Sequence, residues 1–288
     1  MSAQWSACFA ANGIHPTRGL PILVTRVSRR ITREFLHFAS TLLEENRTGE
    51  PGAEKMPDVT RVELVKQRIE FGMENLEIYL EFAESHLQKE QERQGNEVKN
   101  LDQALIDTFG DSLETDADVE ILQQRWGCDD PDAPNTPYSP LNSVFPRCLR
   151  YSFVAFVGLL FESELRIFCN SVAIERSLQS STTKGKESAL EQAKEFLIKQ
   201  ADVKTVSDNL WRELHDMVKI RNCIVHFGGR IDASKHKNRL EHLSKTKKGL
   251  WIDSRERPGD RLLIVERAYC ESIVKTVRTF FDSVFAAV

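Results

Sequence analysis

Between Val59 and about Arg93, apolar residues return at helical intervals: Val62, Val65, Ile69, Met73, Leu76, Leu80, Ala83 and Leu87 form one stripe. This spacing predicts a long amphipathic helix whose other faces carry Glu70, Glu74, Glu77, Glu81 and Glu84, which accounts for their charge by solvation. A weaker periodic stretch from Leu101 to Trp126 predicts a second helix that folds back on the first. Upstream, Val24, Val27, Ile31, Phe35, Phe38 and Leu42 keep the same spacing, as an amphipathic docking helix would. The periodicity stops between Gly127 and Pro146, where five of the ten prolines (Pro131, Pro134, Pro137, Pro140, Pro146) stand among Asp129, Asp130 and Asp132. Proline lacks the amide donor and pushes its predecessor out of the helical region, so this stretch is a linker or an extended surface crossing.

Beyond it three amphipathic helices are expected, over Phe145–Ser177, Lys186–Gln200 and Ser207–Phe227, the last closed by Gly228 and Gly229 as a C-cap. A basic stretch without periodicity follows. Gly249–Ile252 and Arg261–Val265 then flank a Pro258-Gly259-Asp260 turn, the pattern of a β-hairpin. The final helix, Glu266–Ala287, shows Cys270, Ile273, Val274, Val277, Phe281, Val284 and Phe285 on one face. The expected fold is all-α, an antiparallel helical bundle with a short β-hairpin before the C-terminal helix. Its expected divisions are an N-terminal arm (1–58), an acidic helical segment (59–126), the proline-rich linker (127–146) and a helical domain (147–288).

Composition changes the picture through its distribution. The 288 residues carry a net charge of -4 and are 41% hydrophobic, the profile of a globular chain. Residues 1–58 hold 7 basic against 6 acidic side chains, residues 59–140 hold 7 against 19, and residues 141–288 hold 25 against 18. The C-terminal half is therefore basic and suits a polyanionic partner that the overall charge would argue against. No apolar run approaches the roughly 18 residues of a spanning helix, so no membrane partner is expected. The six cysteines are scattered without a C-x-x-C pair or nearby histidines at zinc-ligand spacing, which predicts no metal and a reducing, cytoplasmic setting. Five arginines and no acid in the first 33 residues bear some likeness to an organelle transit peptide, but the helical spacing there favours docking.

Two charges fall on apolar stripes. On a helical wheel Arg221 lies among Leu210, Leu214, Met217, Val218, Ile224 and Val225, and Glu164 lies among Phe153, Phe156, Val157, Leu160, Ile167 and Phe168. A buried charge needs a partner, so these two are expected to pair across their helices. Five residues after Arg221 comes His226, in the last helical turn, where unfilled carbonyls and the negative end of the helix dipole favour the imidazolium. A histidine placed there suits general acid-base work. Arg221 and His226 lie about 140° apart on an ideal helix and can flank one groove without sharing a stripe. His215, His236 and His242 read as surface residues, and Trp211 and Trp251 as core residues with base stacking as the alternative.

The string Arg221-Asn222-Cys223-Ile224-Val225-His226 resembles the R-x4-6-H motif of the HEPN superfamily (higher eukaryotes and prokaryotes nucleotide-binding). Two other spacings fit, but Arg30 to His37 lies in the arginine-rich leader and Arg230 to His236 crosses a glycine break. The resemblance covers about residues 141 to 288. It implies an all-helical homodimer whose motifs face one another in a composite cleft and cleave RNA without metal or other cofactor, in the manner of toxin–antitoxin and antiviral defence ribonucleases. On this chain Arg221 would stabilise the phosphorane, His226 would act as general base or acid, Asn222 would orient the cleft and Glu164 would hold Arg221. The residues after His226 are Phe227 and Gly228, so the His-x-Tyr extension of some toxins is missing. Arg230, Lys235, Lys237, Arg239, Lys245, Lys247 and Lys248 cluster just after the motif as candidates for RNA backbone contact. An antitoxin or regulatory partner is a further expectation. The alternative is a non-catalytic helical interaction or RNA-binding protein in which Arg221 forms a structural ion pair.

Overall fold

The stripe from Val62 to Leu87 folds as predicted into helix α1 (Arg61–Phe109), with Val65, Ile69, Met73, Leu76 and Leu80 buried. The computed structural model describes residues 60–109, 142–179, 188–254 and 261–288. The expected docking helix over Val24–Leu42, residues 110–126 of the expected fold-back helix, most of the proline-rich segment and the hairpin turn lie outside the described residues. The expected break near residue 93 does not occur: α1 is one 49-residue helix that runs through Gly95, so residues 101–109 continue it. An interior glycine costs a helix only about 1 kcal/mol, and no proline interrupts the run. The acidic face is also less solvated than its pattern suggests. Glu84 is buried and held by Arg150, whose Nε and Nη2 donate to its two oxygens at 2.7 and 2.9 Å.

Helix α2 (Val144–Glu175) is the centre of the fold. It packs against α1, α3 (Ala189–Lys199), α4 (Asp208–Phe227), α6 (Arg267–Phe285) and strand β2 (Leu262–Val265). Pro146 sits in its first turn, where the missing amide would have no intrahelical acceptor. Being surrounded, α2 is apolar on most of its circumference. Its best 18-residue window has a mean hydropathy of 1.5, so by length and composition it could cross a bilayer, contrary to the expectation that no such segment exists. The short charged interruptions are too few to lower that average. Here its apolar residues Phe153, Val154, Val157, Phe161, Leu165 and Phe168 fill the protein core.

Local chemistry fixes the remaining ends. Ser188 and Glu191 form a capping box at α3, and Ser207 accepts from the Leu210 amide at 3.3 Å to start α4. The stretch after α4, read as aperiodic, contains a further helix, α5 (Lys237–Thr246), anchored by buried Leu240 and Leu243. Two buried leucines in ten residues of mostly polar sequence are too short a signal for a periodicity test. Strands β1 (Leu250–Asp253) and β2 pair antiparallel, with Leu250 opposite Val265 and Asp253 opposite Leu262. Helix α6 closes the core through Phe280, whose ring meets Phe161 at 5.5 Å and Trp211 at 5.0 Å, both edge to face. The described residues form an all-α fold of six helices with one two-stranded hairpin before the last helix.

Candidate functional site

Arg221 and His226 occupy the last two turns of α4. The Arg221 side chain is 17% exposed and lies across Gly158 of α2, where an added Cβ would stand 3.2 Å from both its Cγ and its Nε. Glycine at 158 is what lets the arginine stem pass. Nη1 donates to Asn222 Oδ1 at 2.9 Å, and Nη2 forms an ion pair with Glu162. Nε is buried without a hydrogen-bond acceptor among the described residues.

The expected partner, Glu164, is engaged elsewhere. Arg68 of α1 donates to its Oε2 through Nε at 3.0 Å and Nη2 at 2.7 Å. Burial pushes the Glu164 carboxyl above its ordinary value against the pull of Arg68. Glu162 and Glu164 stand about 200° apart on the helix, so one faces α4 and the other α1. A wheel centred on one arc mistakes which neighbour each carboxylate meets when the helix is buried nearly all round. Glu162, which the sequence reading passed over, is distinguished in sequence only by standing four residues after Gly158.

His226 is exposed, with the Phe227 ring 6.4 Å away as its contact and no hydrogen-bond partner among the described residues. Val225 is 52% exposed beside it, and Leu159, next to Gly158 on α2, is 55% exposed. The helix end beneath His226 is held firmly. Gly228 adopts φ 60° and returns its amide to the Ile224 carbonyl at 3.0 Å, while Gly229 at φ 86° reaches the Cys223 carbonyl at 3.2 Å. The Tyr151 ring of α2 fills the space over Gly229, where an added Cβ would meet its hydroxyl at 2.1 Å, and that hydroxyl donates to the Leu263 carbonyl. Tyr151 therefore ties α2, the end of α4 and β2 together. The sequence carries no signal for it, because its partners are 78 and 112 residues away.

The seven basic candidates divide into two groups. Lys237 pairs with Asp232 at 2.8 Å, Lys247 with Glu213 at 3.0 Å, and Arg239 grips Asp216 with Nε at 2.9 Å and with Nη2. These three fasten α5 and its approach to the bundle. Burial raises and Arg239 lowers the Asp216 carboxyl, and the net position is below the ordinary value. Lys235, Lys245 and Lys248 are exposed, as is Arg230, whose backbone bridges to Leu262. Among the other residues singled out, Trp211 is core at 2% exposure, whereas Trp251, expected in the core, is 37% exposed on the short hairpin, its Nε1 donating to Glu266 at 3.1 Å. His215 and His236 are partly covered and held below the ordinary imidazole value by that burial, and His242 is exposed. Among the described residues no group of three or more His, Cys, Asp or Glu side chains is placed to hold a metal.

Comparison with protein-family models, with curated proteins and with solved structures finds no match to this chain.

Proposed function

We propose that this chain is a HEPN-type endoribonuclease, active as a cytoplasmic homodimer in a toxin or phage-defence role under an antitoxin or other regulatory partner. The supporting observation is the end of α4, where a guanidinium oriented by Asn222 and an exposed imidazole stand five residues apart on a helix terminus held by Gly228, Gly229 and Tyr151. Exposed Leu159, Val225 and Phe227 supply apolar surface of the kind a second copy covers. Across such an interface two Arg221 and two His226 would line one cleft.

The chemistry suits these groups. One His226 accepts the proton of a ribose 2′-hydroxyl as its oxygen bonds to the adjacent phosphorus. Arg221 neutralises the charge gathering on the non-bridging oxygens. The bond to the 5′-oxygen breaks, and that oxygen leaves with a proton supplied by the partner's histidine. The products are a 2′,3′-cyclic phosphate and a 5′-hydroxyl end. Incubation of single-stranded RNA with the purified protein, with and without chelator, tests this: the expected result is cleavage insensitive to chelator, with cyclic phosphate ends, lost in His226→Ala and Arg221→Ala. No cleavage by wild type, or cleavage unchanged in both variants, overturns it.

One observation favours the second reading, a non-catalytic interaction or RNA-binding protein: Arg221 is already committed to an ion pair with Glu162. On that reading Arg221→Ala loses stability and RNA remains intact with every variant.

A further inference from the structure

We infer that Glu162 is an internal competitor for the anion-binding edge of Arg221, an acidic latch that an incoming phosphate must displace. The inference rests on the reading of Arg221 as a phosphate-binding group. A guanidinium grips an oxyanion best through the edge that carries Nε and Nη2, two parallel donors in a fixed fork. Other arginines in this molecule use that edge fully: Arg68 places both nitrogens on Glu164, Arg150 on Glu84, Arg239 on Asp216 and Arg261 on Asp232. Arg221 does not. Its Nη2 is paired with one Glu162 oxygen, while Nε is buried with no acceptor among the described residues.

The same edge cannot serve two anions, so a phosphate engaging Nη2 must expel the carboxylate. Glu162 can leave. Its side chain is 27% exposed, whereas the Glu164 side chain, at 5%, has no route to water without unpacking α1 from α2. Arg221 also keeps its aim when Glu162 swings away, because Nη1 remains bonded to Asn222 and the stem remains seated on Gly158. A mobile acid opposite a fixed arginine is the arrangement of a latch. Resting protein thus presents a neutralised arginine, and the site opens to an anion able to outcompete one carboxylate oxygen.

The experiment uses full-length wild type, Glu162→Gln and Glu162→Ala, with phenylglyoxal modification of individual arginines followed by peptide mass spectrometry in increasing inorganic phosphate. In both variants Arg221 is expected to react several-fold faster than in wild type. Phosphate should half-protect it at a concentration lower by about tenfold, roughly 1.4 kcal/mol. Arg68, gripped on Glu164, should stay slow in all three and serves as the internal standard for a folded core. Rates and protection equal to wild type overturn the latch. Slower reaction or weaker protection also overturns it and makes Glu162 an orienting group. Should Glu162→Ala unfold, seen as a fast-reacting Arg68, the isosteric Gln variant decides alone. RNA cleavage by wild type and Arg221→Ala is measured in parallel. Phosphate protection that depends on Glu162 without RNA cleavage leaves the latch standing and removes the nuclease reading; Arg221-dependent cleavage with no effect of Glu162 removes the latch alone.

Discussion

Helix α2 meets arginines on two sides, and the two contacts differ in completeness. Toward α1, Glu164 takes both nitrogens of one guanidinium edge from Arg68, and one α2 residue, Arg150, returns the same two-point grip to Glu84. Toward α4, Arg221 offers the same edge to Glu162 and leaves Nε without an acceptor. The first interface is a finished joint that sets the register of two long helices, at the desolvation cost any buried pair carries. The second is only partly buried, with the Arg221 side chain 17% and the Glu162 side chain 27% exposed. The unsatisfied Nε is the feature on which the proposed anion site rests.

The largest test of this contrast is Arg68→Ala, which strands Glu164 in the core and is expected to cost about 3–5 kcal/mol at neutral pH by denaturant unfolding. Its pH dependence has a definite sign. Burial raises the folded Glu164 carboxyl above its unfolded value, so protonation favours the folded state: the contribution is full below the unfolded value and lost as pH rises through the folded one. The deficit of the variant should therefore shrink on mild acidification. A deficit that grows between neutrality and pH 5 would break the assignment of Glu164 as a desolvated carboxylate.

Asp216→Asn should come next, at about 2 kcal/mol, because its fork from Arg239 is complete but Arg239 itself is 35% exposed and screened. Here the sign reverses. The folded carboxyl lies below its unfolded value near 3.8, so the stabilisation is present above that value and lost as pH falls through the folded one. The variant should show a shallower acid-unfolding limb below about pH 4 than wild type.

Arg221→Ala is expected to cost only about 1 kcal/mol, since the partly exposed Glu162 it abandons can turn to water and the main loss is packing over Gly158. A loss as large as that of Arg68→Ala would erase the contrast and make the α4 contact a structural joint too. His226→Ala closes the series: a change within about 0.5 kcal/mol in stability, with RNA cleavage lost.

Much of this fold was legible along the chain. The period-3.6 stripes located α1, α2, α3, α4 and α6, and the glycine pair after Phe227 and the two apolar strings around Pro258 marked a cap and a hairpin. Failures came where a pattern was short or where partners were distant. Helix α5 holds too few apolar residues to show a period, and α1 was expected to end near Arg93 because its apolar stripe fades there, while the cooperativity of a long helix is not visible locally. At the site, Arg221, Asn222 and His226 were visible as a string on one helix end. Tyr151 and Glu162 were not, because each acts on residues far away in sequence.

By itself the sequence determined an all-helical chain, the basic character of its second half, and the presence of an arginine and a histidine in the last two turns of one helix. These follow from periodicity, capping and counting, all local properties. Which carboxylate meets which arginine was decided only by the tertiary structure. A helix buried on nearly every side offers several faces of equal hydrophobicity, and nothing within its own sequence says which neighbour covers which face. The packing of α1 and α4 on opposite sides of α2 separates Glu164 from Glu162, making the first part of a joint and leaving the second beside the site.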